Sequence, residues 1–105
     1  MYRPIPDYLI IEPSFIEGLG LFTTEYIVED IEIGITHIKD DRFEDGYIRT
    51  PLGGFINHSE EPNCETHEKE GIVYMKTIRD IRHGEELTLK YKWYNVSSSS
   101  ISKED

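Results

Sequence analysis

Cysteine is almost missing from this chain: Cys64 is the only one in 105 residues. One thiol cannot close an intramolecular disulfide, and it cannot build a cysteine-rich zinc cluster. Positive charge is scarce too. Lys and Arg number 11 against 21 Asp and Glu, a formal net charge of −10. Such a surface repels phosphates, which excludes nucleic acid as an expected partner. It would attract a basic partner, such as a lysine-rich segment of another protein; the plainer alternative is that it serves solubility alone. No apolar run approaches the roughly 20 residues of a membrane-spanning helix, and Met1–Asp7 lacks the apolar stretch of a signal peptide. The expectation is a soluble cytoplasmic protein. Helical periodicity and internal repeats are also lacking.

What is present is a globular composition, 37% hydrophobic and 30% charged. The length predicts one domain, placed at 8–96, with Ser97–Ser100 opening a polar tail over 97–105. Short β-rich runs alternate with turn formers, which predicts a mostly β fold. The expected strands are Tyr8–Ile11, one beginning at Leu21-Phe22, a region of alternating isoleucines from Ile27 to Ile38, Ile72–Ile78, and Leu87–Tyr91. Asp40–Gly46 reads as a polar loop, Ile48–Ile56 as turns with one helical turn, and Asn57–Asn63 as a dense turn.

Three stretches stand out. Gly18-Leu19-Gly20 can be a simple hairpin turn, or it can let backbone approach a ligand closely. No strand–helix unit follows it, so it is not a dinucleotide-binding glycine motif. Asn57-His58-Ser59-Glu60-Glu61-Pro62-Asn63 can be a purely structural turn whose side chains bond local backbone. His58 has no partner at metal-ligand spacing, and no metal site is expected. Tyr91, after Gly84-Glu85-Glu86-Leu87, can be an ordinary packed strand aromatic.

In this order, however, Gly18-Leu19-Gly20-Leu21-Phe22, the Asn-His-Ser-x-x-Pro-Asn run and the Gly-Glu-Glu-Leu run ending in Tyr91 resemble the SET-domain protein-lysine methyltransferases. The resemblance extends from about Leu9 to Tyr94 and is to minimal, stand-alone members of the viral or bacterial kind. It implies small curved β-sheets of β-clip type with a C-terminal pseudoknot. It also implies S-adenosylmethionine as cofactor, lined by Gly18, Leu19, Gly20, Asn57 and His58, with a C-terminal aromatic, Trp93 in preference to Tyr94, stacking on the adenine or closing the channel. Tyr91 takes the place of the catalytic tyrosine. Tyr47, Phe55 and Leu89 are assigned to the substrate lysine channel. Leu89, two residues before Tyr91, has no hydroxyl to hold a space-filling water, which implies di- or trimethyl-lysine as product. A homodimer could complete the peptide groove, and a viral member would act inside the host cell.

Two departures bear on this. Lys90 stands where the family often has an acidic residue. The segment from Phe22 to Asn57 is short, so the wall that recognises the substrate is reduced. The rivals are a catalytically inactive SET-like domain and a β-rich module that binds basic peptides without a cofactor.

Overall fold

A computed structural model describes residues 5–43 and 46–90 of the chain. The fold is mostly β, in two small four-stranded sheets. The first hairpin joins β1 (Leu9–Pro13) to β2 (Leu19–Thr23). The two glycines between them have different tasks. Gly18, at φ 48°, closes the loop with its carbonyl accepting from Ser14 N–H at 2.8 Å, whereas Gly20 already runs within β2.

β3 (Glu32–Lys39) pairs with β4 (Tyr47–Arg49), which leads into the five-residue helix α1 (Pro51–Phe55). Thr50 caps α1. Its Oγ1 accepts from Gly53 N–H at 3.2 Å and donates to the Ile35 carbonyl at 2.6 Å. Pro51 at the first helical position loses nothing, since its N–H would have no intrahelical partner. The helix lies so close to β3 that a Cβ on Gly53 would collide with the Thr36 carbonyl.

Next come β5 (Asn57–His58), β6 (Cys64–Lys69), β7 (Ile72–Thr77) and β8 (Glu86–Leu89). One sheet runs β1-β2-β8-β5 and the other β4-β3-β7-β6. In β7 the buried positions are Val73, Met75 and Thr77, the period of two expected of a half-buried strand. β8 breaks that alternation: Leu87, Thr88 and Leu89 are all buried, Leu87 and Leu89 in the main core and Thr88 against the buried Asn63. The main core gathers Leu21, Ile33, Leu52, Ile56, Met75, Ile81, Leu87 and Leu89 with Cys64. An antiparallel bridge between Ile27 and Ile81 joins the loop before β3 to the turn before β8. Among the described residues no helix is long and apolar enough to cross a membrane.

Candidate active site

The first sheet brings the three sequence motifs together on β8. β2 pairs with β8 antiparallel through Leu21 and Phe22, and β5 pairs with its other edge parallel, Asn57 opposite Thr88 and His58 opposite Leu89. The glycine-containing segment, the Asn-His pair and the strand that runs toward Tyr91 are therefore neighbours, although they are far apart in sequence.

Side chains fasten this junction. Glu86 accepts from Ser14 Oγ at 2.8 Å on one carboxylate oxygen and from Asn57 Nδ2 at 2.8 Å on the other. The same Asn57 amide reaches the carbonyls of Glu17 and Leu19, each at 3.2 Å. Asn57 Oδ1 accepts no hydrogen bond among the described residues. Gly20 lies directly beneath this network, and a Cβ there would collide with the Glu86 carboxylate. The loop from Ser14 to Gly20 is thus clasped from below by one carboxylate and one amide.

Asn63 pins the other face of β8. It is fully buried; its Nδ2 donates to the Glu86 carbonyl and its Oδ1 accepts from Thr88 N–H, both at 2.8 Å. A buried amide satisfied at both ends is worth far more than an exposed one, since losing either partner strands a polar group. Glu85 points away from Glu86. Burial pushes its carboxyl pKa up, but the Arg82 N–H and the Arg79 guanidinium outweigh that and hold it below the usual value.

Gly18, Leu19, Gly20, Asn57 and His58 thus share one region. Phe55 and Leu89 both pack on the main core, Leu89 being only 2% exposed. Tyr47 does not join them. It belongs to a separate cluster with Val73, its ring meets His37 edge-on, and its hydroxyl donates to Glu68 at 2.9 Å. Tyr91 and Trp93 lie outside the described residues. His37 is buried beside the Thr36 hydroxyl, and the exposed His67 stacks on Tyr74. Ser14 was not singled out by the sequence and Glu86 stood out only as part of the Gly-Glu-Glu-Leu run; no short-range pattern joins two residues 72 positions apart.

A SET-domain model matches residues 32–92, more than half of the chain. This chain belongs to the SET-domain family. The SET domain is 35% identical over 96 aligned positions to the histone-lysine N-methyltransferase ATXR7 of Arabidopsis thaliana, covering 69% of this chain and 7% of that protein. It is 34% identical over 114 aligned positions to an H3 lysine-4 specific histone-lysine N-methyltransferase of Schizosaccharomyces pombe, covering 77% of this chain and 12% of that protein. The chain therefore spans only a small part of these relatives. Among solved structures, the methyltransferase domain of human PR domain-containing protein 2 superposes with a TM-score of 0.67 at 20% identity, over 84% of this chain and 79% of that one. At that identity the likeness is one of fold.

Proposed function

We propose that this SET domain transfers methyl groups from S-adenosylmethionine to lysine side chains of a protein substrate, and carries them to di- or trimethyl-lysine. The observation that supports this best is the clasp of Gly20, Asn57 and Glu86 beside the strand that leads to Tyr91. The relatives' names, all histone-lysine N-methyltransferases, support a lysine acceptor in a basic, histone-like protein.

The residues present fit the cofactor. Asn57 Oδ1 is an acceptor without a protein partner among the described residues, suited to a ligand ammonium. Gly18, with open space where a Cβ would stand, leaves backbone bare for close approach, and Leu19, 49% exposed, offers apolar surface. Gly18, Leu19, Gly20, Asn57, His58 and Trp93 would hold the cofactor. When bound, S-adenosylmethionine supplies a methyl group on a positively charged sulfur.

The chain's own residues must then deliver a neutral amine. A free lysine has a pKa near 10.4, so only about one amine in a thousand is uncharged near neutral pH. An apolar channel, to which Phe55 and Leu89 are assigned, disfavours the ammonium by desolvation. Tyr91 is the catalytic residue in this reading: its hydroxyl orients the amine lone pair toward the methyl. Alignment contributes much of the remaining acceleration.

The test is transfer of labelled methyl from S-adenosylmethionine to histones, with product mass counting the methyls. Wild type should label lysine, and Tyr91→Phe should lose about a hundredfold or more in kcat while still binding cofactor. A folded wild type that binds a basic peptide but transfers no label would instead make it a binding module.

A further inference from the structure

Two charged residues with no part in the reaction outlined above, Glu60 and Lys90, form a network with His58 beside this site. Glu60 stands in the turn between β5 and β6, with one carboxylate oxygen 2.8 Å from His58 Nε2 and the other 3.3 Å from Lys90 Nζ. A carboxylate only accepts, so the proton in the first contact sits on Nε2. The two partners lie on adjoining segments: His58 is opposite Leu89 in register, and Ser59 N–H bonds the Leu89 carbonyl at 2.8 Å. Glu60 therefore bridges the point where the Asn57-His58 segment meets the chain entering Tyr91. Hydrogen bonds from His58 first, then Lys90, hold its carboxyl below the usual carboxylate range. The turn that carries Glu60 is secured without it, by Glu61 N–H on Ser59 Oγ at 3.0 Å and by Asn63 on Thr88.

We propose that Glu60 is a positioning residue, fixing the His58 ring by holding its protonated Nε2 and steadying, through Lys90, the chain at the residue before Tyr91. The role rests on the methyltransferase reading of this site. It also bears on the departure at position 90: a cation there, on a chain of net charge −10, meets an acid supplied from the neighbouring turn. The side chains of Glu60, Lys90 and His58 are 73%, 61% and 37% exposed, so the network adjusts the site and does not hold the fold together.

Nitrogen NMR of the histidine rings, on the full chain without ligand, reads the first contact directly. Wild type and Glu60→Gln, whose amide oxygen still accepts, should both show His58 protonated at Nε2. Glu60→Ala should shift the ring toward a tautomer mixture. Calorimetry with S-adenosylhomocysteine as the probe should show Glu60→Ala binding up to about fivefold more weakly, with Glu60→Gln returning to the wild-type affinity. Lys90→Gln should lower kcat while leaving probe affinity intact. Unchanged ring signals and affinity in Glu60→Ala overturn the proposal. Failure of wild type itself to bind the probe overturns the methyltransferase reading, and this role with it; a failure confined to the Glu60 variants overturns the role alone.

Discussion

Gly20 is where a single methyl group would do most harm. Its Cβ would occupy the place of the Glu86 carboxylate and press on the Asn57 amide. Gly20→Ala should therefore displace Glu86 and break its bonds to Ser14 and Asn57, at a cost of about 1–3 kcal/mol, with cofactor affinity falling in parallel. Thermal unfolding and calorimetry check both; a variant that keeps both values would show that Glu86 can move aside freely. Cys64 is the opposite case, a reactive residue type made inert. Burial pushes its thiol pKa up to about 12, against an ordinary value of 9.0. The folded state thus keeps a proton that the unfolded state releases first. That contribution to stability is complete below about pH 9 and declines as pH climbs toward about 12. Tyr8 is also raised by burial, so the alkaline loss must be compared with that of Cys64→Ala. The variant should lose less stability between pH 8 and 11 in denaturant titrations, and native Cys64 should resist thiol reagents at pH 8.

At the scale of elements, the sequence indicated the strands whose inward positions are strongly apolar. β1, β2, β3, β7 and β8 lie where Ile, Leu, Val and Phe recur, most ends moved by a residue or two, although β3 begins at Glu32, five residues after Ile27. β6 carried no such signal. Its inward positions are Cys64 and Thr66 and the rest is Glu, His and Lys, so it looks like loop until β7 pairs with it. β5 is shorter still, and a two-residue parallel pairing has no local signature. The β6–β7 turn was equally hidden, though its chemistry is simple. Glu70 and Gly71 have φ of 53° and 84°, the left-handed pair of a two-residue hairpin. Glycine accepts this and glutamate does so under strain. Gly71→Ala should cost about 1–2 kcal/mol, and Glu70→Asn should gain a few tenths, up to about 1. Both are read from denaturant midpoints. Equal stability in all three proteins would mean that the turn relaxes to another type.

For the whole molecule, the sequence singled out particular residues for the candidate site and only a net charge for the surface. Gly18, Gly20, Asn57 and His58 could be singled out because they sit in short runs whose residue types are chemically constrained, and pairing on β8 makes those runs neighbours. The ties that assemble it, Ser14 and Asn57 to Glu86 and Asn63 to Thr88, connect distant positions through register, which one sequence does not display. The surface speaks through its net charge of −10. If the substrate is a lysine-rich segment, that excess should raise its encounter rate and bound population at low salt. Screening shortens the reach of these charges from about 8 Å at 0.15 M to about 3 Å at 1 M. KM for a histone-like peptide should therefore rise steeply over that range while kcat changes little, because the charges steer the approach and do not touch the transferred methyl. A peptide with its flanking arginines replaced by glutamine supplies the control: its KM should start higher and vary less with salt. If the two peptides show the same salt dependence, the negative surface serves solubility, and recognition lies in the groove itself.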